Sequence, residues 1–240
     1  MMSIKAGLQI LFLSILAPLT VKADTGTDLF YALRKKALLV KDYTADVNMQ
    51  IDVSYMKIPK LKGTMYFKSP DKLRLERHGG ISLLPKKNVN LTISNLMPAG
   101  NVLVIDIGNV EKDGKKLHVL KVVPDDDQNN IVLAKLWVDE ANLVAVRAET
   151  TTRNDGTIIM DLTFGKYINW GLPDKVALLV DLKDYKLPKG FTLDYETNPG
   201  AKPDAQAEKA AKASKGQKGT IKINYLKYDV NTGLSDEKFK

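Results

Sequence analysis

The stretch "YTADVNMQIDVSY", residues 43–55, constrains the fold more than any other part of the chain. Its odd positions are Tyr43, Ala45, Val47, Met49, Ile51, Val53 and Tyr55. Its even positions are Thr44, Asp46, Asn48, Gln50, Asp52 and Ser54. A period of two places all the apolar side chains on one face of an extended strand, whereas a helix would scatter them around its axis. Strands of five or six residues are usual, so an alternation this long belongs to a large antiparallel sheet with one wet face.

The segment before it has a different period. In "TDLFYALRKKALLVKDY", from Thr27, Leu29, Leu33, Ala37 and Val40 fall near one face, with Thr27 or Asp28 as the cap and Arg34, Lys35 and Lys36 on the other side. This is one amphipathic helix, predicted to pack on the sheet. After the long strand, "LKGTMYFKSPDKLRLER" alternates, turns at Ser69-Pro70-Asp71 and alternates again. Further strands are predicted at 89–93, 102–107, 116–123, 131–138, 143–151, 157–167, 175–181 and 220–228. That makes about ten strands after a single helix, a mainly β member of the α+β class.

One hairpin can be read in register. Val144, Val146 and Ala148 share parity with Ile158, Met160, Leu162 and Phe164. An odd connection keeps both sets on one face, and Asn154-Asp155-Gly156 supplies three residues with glycine at the left-handed position. Arg147, Glu149, Asp161 and Thr163 then take the opposite face, with Arg147 and Asp161 as diagonal neighbours.

The ends and loops bound the setting. Lys5, the apolar run from Ala6 to Val21, and Val21-Lys22-Ala23 resemble a secretory signal peptide, so residues 1–23 are expected to be removed and 24–240 to form a single domain in the periplasm. No cysteine is present, which excludes disulfides and a lipid-modified N-terminal cysteine. The net charge of +8 is modest, and part of it sits in an Ala/Lys-rich insertion at 199–219. That insertion lacks the aromatic interleaving of a nucleic-acid surface and reads as a solvated loop.

Catalytic patterns are sparse. His78 and His118 are the only histidines. His78 adjoins Gly79-Gly80 in a turn, and His118 lies in a strand opposite Leu117 and Val119, so both read as surface or satisfied side chains. Asp125-Asp126-Asp127 lacks the ligand spacing of a calcium loop, and no cofactor or metal is expected. Asp139-Glu140 falls where a hairpin must reverse, which makes it a turn. An enzyme is not indicated.

What the chain has in excess is apolar strand face. A single helix cannot cover it, so the sheet must meet a second layer or enclose a cavity. The candidate lining is Val47, Met49, Ile51, Val53, Met65, Phe67, Leu73, Leu75, Trp137, Val144, Val146, Ile158, Met160, Leu162 and Phe164.

Two stretches, "LKGTMYFKSPDKLRLE" and "LWVDEANLVAVRAETTTRNDGTIIMDLTFGKY", together with the ending "NYLKYDVNTGLSDEKF", give the chain a pattern similar to the bacterial outer-membrane lipoprotein carrier (LolA-like) superfamily over roughly residues 27 to 185. The resemblance implies a curved antiparallel sheet, an open half-barrel, with the N-terminal helix and a helical plug over a hydrophobic cavity; "GGISLLPKKN" would be part of that plug. It also implies a monomeric carrier of lipoprotein acyl chains or lipids, with Arg74 as a headgroup contact. Its partners would be an inner-membrane releasing complex and an outer-membrane acceptor, with no role for nucleic acid. A sensor or interaction domain of the same fold, acting in envelope-stress regulation, is the alternative, and a hydrolase is a third.

Overall fold

The computed structural model describes residues 25–53, 56–57, 60–78, 97–126, 129–153, 156–181 and 218–239. One helix, α1 (Thr25–Ala37), precedes the strands β1 (Asp42–Val53), β2 (Met56–Lys57), β3 (Leu61–Lys68), β4 (Lys72–Arg77), β5 (Val102–Lys112) and β6 (Lys115–Pro124). The sheet continues with β7 (Ile131–Asp139), β8 (Val144–Thr152), β9 (Gly156–Thr163), β10 (Lys175–Asp181) and β11 (Lys218–Val230), and short 3-10 turns fall at Ile168–Trp170 and Asp236–Phe239. The predicted strand at 89–93, the expected plug and nearly all of the insertion at 199–219 lie outside the described residues.

Ten strands form one antiparallel path, β4-β3-β1-β11-β10-β9-β8-β7-β6-β5, and β2 pairs with β1 off that path. The sheet is curved and not closed into a barrel. From β5 to β10 each strand pairs with its neighbour in sequence, as short connections favour. The exception is β11, which inserts between β10 and β1 and so joins the two ends of the chain.

The alternation in β1 sets the faces as predicted. Tyr43, Ala45, Val47 and Met49 are buried, and Asp46 points outward. A continuous row of inner side chains crosses the sheet through paired residues: Ile51, Ile221, Leu178, Met160, Ala148, Leu136 and Leu120. Phe30 and Leu33 of α1 belong to the same core. The helix starts two residues earlier than predicted. Gly26 permits a close approach: a Cβ there would lie 3.0 Å from Asp106 Cβ and 3.3 Å from a Leu120 methyl, so the first turn rests directly on β5 and β6.

The β8–β9 hairpin has the predicted faces and a different register. Thr152 pairs with Gly156, whose φ is +71°, so Arg147 stands directly opposite Asp161 rather than diagonal to it. The connection begins one residue earlier than expected, and parity is preserved because it still holds an odd number of residues.

Among the described residues four β-bulges break the alternation, and each leaves one residue without a cross-strand partner: Leu226 opposite β1, Ile107 opposite β6, Val132 opposite β8 and Val146 opposite β7. A bulge inverts the parity of the residues beyond it. Thus Tyr225 and Tyr228, three residues apart, both face inward and stack at 5.0 Å, while Leu226 between them is exposed. In the same way Ala145 and Ala148 both join the core, although an unbroken strand would set them on opposite faces.

Candidate functional site

The inner face is apolar from β4 to β6, and the candidate residues fall on it unevenly. Val47, Met49, Met65, Phe67, Leu75, Met160 and Leu162 are buried in the main core, and Ile51, Leu73, Ile158 and Phe164 pack partly buried against it. The side chain of Val53 lies outside the described residues.

Trp137 and Val144 do not belong to this face. Trp137 pairs with Arg147 while its neighbours Leu136 and Val138 are wholly buried in the core. On the outer surface its ring lies 4.5 Å from Lys135 Nζ and 5.5 Å from Arg147 Cζ. Both cations sit within reach of a favourable contact with the indole. Arg147 also donates two hydrogen bonds to Asp161, at 2.9 and 3.1 Å, and is bonded to Glu149. Val144 is buried but pairs with Asp139, with Ala145 taking the inward place beside Val138. Val146 is the unpaired residue of the bulge and is half-buried. The physical cause is common to all three. The parity of β7 belongs to Ala134, Leu136 and Val138, and the bulge shifts the start of β8 out of step with its end. Attention to that even-numbered apolar series would have reassigned Trp137; the bulge itself has no signature in composition.

Arg74 stands on the outer face, paired with Tyr66, and its Nη1 donates 2.9 Å to the Lys238 carbonyl. Its visible role is to hold the C-terminal turn against β4.

At one end of the inner face is an aromatic cluster that the strand pattern did not single out. Tyr43, Tyr167, Tyr225 and Tyr228 pack ring against ring, with centroids 5.0 to 5.2 Å apart. The Tyr43 and Tyr225 hydroxyls point at Met65 Sδ, 3.8 and 3.4 Å away, and Tyr228 donates 2.8 Å to the Pro173 carbonyl. Burial pushes the Tyr225 phenol up to about 12 and also raises Tyr43 and Tyr228. These phenols are therefore neutral donors that spend their polarity internally and leave aromatic carbon toward the core.

Toward the β5–β6 end of the sheet His118 is satisfied, as its pattern suggested. Its Nδ1 faces Glu140 Oε1 at 2.6 Å and its Nε2 faces Asp106 Oδ1 at 2.7 Å. Carboxylate oxygens only accept, so the ring satisfies both of them in its imidazolium form, where both nitrogens donate. Burial alone would lower its pKa, but the bonds to Asp106 and Glu140 outweigh that and raise it. The carboxylates meet opposite edges of the ring, an arrangement that clamps elements together. His78 bonds Thr64 on the surface at 2.9 Å. Asp139 bonds Asn142 within the β7–β8 turn, as a turn residue should.

Three solved structures share this architecture. A LolA superfamily protein from Nitrosomonas europaea superposes with a TM-score of 0.52 at 12% identity, covering 91% of this chain and 98% of its own. A DUF1329 family protein from Desulfovibrio piger gives 0.51 at 13% identity, over 90% and 98%. A domain named for outer membrane lipoprotein sorting, from Vibrio parahaemolyticus, gives 0.50 at 11% identity, over 90% and 97%. No protein-family model matches the sequence, and no curated protein matches it. The chain has the LolA-like fold.

Proposed function

We propose that this chain is a periplasmic carrier that holds the acyl chains of lipoproteins or lipids against the inner face of its sheet. The observation that supports this most is the continuity of that face: one row of apolar side chains crosses seven paired strands, and it ends in Ile51 and Ile221, which are only partly buried. Ile158 on β9 is likewise partly buried. Half-buried aliphatic side chains at the margin of a core offer an acyl chain a place to enter without exposing new apolar surface.

The chemistry required is transfer alone. Each methylene that leaves water contributes about 0.8 kcal/mol, so a chain of ordinary lipid length would be held firmly and yet reversibly. The LolA-like fold supports the reading by analogy of architecture. On this reading the chain takes its cargo from a releasing complex at the inner membrane and passes it to an acceptor at the outer membrane. No step makes or breaks a covalent bond.

Native mass spectrometry of protein isolated from the periplasm tests this directly. The expected spectrum contains adducts at lipid or lipoprotein masses, and a fluorescent fatty acid should compete with them. Protein that carries no adduct and binds no fatty acid, yet captures a protein partner, would favour the sensor alternative.

A further inference from the structure

We infer that the end of the sheet where α1 terminates is a docking surface for an anionic lipid bilayer. Several of the exposed large hydrophobic residues have local explanations. Ile107, Val132 and Leu226 are the unpaired residues of β-bulges, and Leu103, Ile105 and Val110 are spread along β5 at the end of the sheet. Leu38, Leu39 and Trp170 have none, and they are 47%, 49% and 41% exposed.

These three come from two segments that touch. Leu38 and Leu39 follow the last turn of α1, and Trp170 lies in the turn between β9 and β10. The Lys36 side chain connects them: its Cγ lies 3.7 Å from where a Cβ on Gly171 would be, and its Nζ donates to the Asn142 carbonyl. The backbones are fixed. Leu38 and Leu39 donate to Arg34 and Lys36 carbonyls, and Leu39 in turn accepts from Asn231. Trp170 and Gly171 donate to the Tyr167 and Ile168 carbonyls. Val40, next in sequence, turns straight into the core. The two leucines and the indole are thus held outward on rigid supports.

Within the two segments the charge has one sign; the Asp174 carboxylate lies beside Gly165 and Asp42 follows Lys41. Residues 35–41 and 165–171 contain Lys35, Lys36, Lys41 and Lys166 and no acidic residue. Among the described residues, Lys35, Lys41 and Lys166 make no salt bridge; Lys166 lies 5.2 Å over the Tyr167 ring. The carboxylates of the adjacent β7–β8 turn are engaged, Asp139 with Asn142 and Glu140 with His118. An indole and two leucines exposed on segments that also carry lysines match the interface of an anionic bilayer, where the apolar tips enter the acyl boundary and the lysines meet phosphates. This surface is separate from the inner face, so it does not depend on that face carrying acyl chains.

The test uses the full mature chain in a Trp137→Phe background, which leaves Trp170 as its only indole. Binding to vesicles of phosphatidylglycerol in phosphatidylcholine is followed by flotation and by the Trp170 emission. The expected result is binding with a blue shift, weakened by salt, absent with pure phosphatidylcholine, and reduced at least about tenfold by Leu38→Glu with Leu39→Glu. Both leucines are exposed, so the variant should keep its unfolding midpoint and its fatty-acid binding in solution. Three results would each overturn the inference: no flotation with either vesicle, flotation unchanged by the double variant, or a dimer in solution that the double variant abolishes.

Discussion

Glu140, in the turn after β7, is 2.6 Å from His118 Nδ1 on β6, and the same imidazole reaches Asp106 on β5 from its other edge. Asp106 also accepts from Gly108 N at 2.7 Å and from Thr25 at the start of α1. One ring therefore links the edge of the sheet, a turn and the first residue of the helix.

This clamp should make stability depend on pH at both ends. The folded pKa of His118 is raised, so its contribution is complete below the unfolded value of about 6.5 and is lost as pH rises through the higher folded value. The Asp106 carboxyl is lowered, chiefly by the bond from His118, so its contribution holds above about 3.9 and fades as pH falls through the lower folded value. Thermal midpoints measured across the alkaline limb should fall for the parent and much less for His118→Gln. Equal slopes in the two would remove His118 from the explanation.

Asp42 predicts a different cost. It is 5% exposed and accepts from the Thr232 and Gly233 amides at 2.8 to 3.2 Å and from the Thr232 hydroxyl at 3.3 Å. Asp42→Ala strands these donors and should destabilise by about 2–3 kcal/mol in urea unfolding. Asp42→Asn keeps one acceptor oxygen and should recover part of the loss.

Gly63 is set by contact rather than by backbone angle. A Cβ there would lie 2.5 Å from the Glu76 carbonyl oxygen on β4, an atom that moves only with its strand. Gly63→Val should push β4 from β3 and cost about 1–3 kcal/mol, with the earliest loss of amide protection in β4. Uniform loss across the sheet would contradict that local origin.

The two faces can be separated by ligand binding. Ile158→Gln and Ile221→Gln remove apolar surface at the margin of the inner face and should each weaken fatty-acid binding about tenfold. Trp137→Ala acts on the other side of the sheet and should leave that affinity within about twofold. A larger effect from Trp137 than from the isoleucines would sink the assignment of the inner face.

Period-two patterning placed β1, the inward set on β9 and the turn at Asp139-Glu140, because each depends only on neighbouring residues. It failed at Trp137, Val144 and Val146 for a reason that alternation cannot carry. A bulge is a mismatch between two strands, so Val146 is recognised as the extra residue only when β7 lies beside it. The pairing of β1 with β11 was hidden for the same reason, since Val47 and Tyr225 are remote in sequence. The helix start was missed: Gly26 approaches Asp106 and Leu120 closely, a contact between remote residues that no capping pattern carries.

The insertion of β11 between β10 and β1 also sets an order of events. As the chain emerges from its N-terminus, β1 can meet β3 and β4, and β5 to β10 can zip in sequence. Until Val230 has emerged, no strand pairing among the described residues joins those two sheets. The last strand to arrive is the one that makes them a single surface, so a chain cut short before β11 would keep most of its strands and still have no continuous inner face.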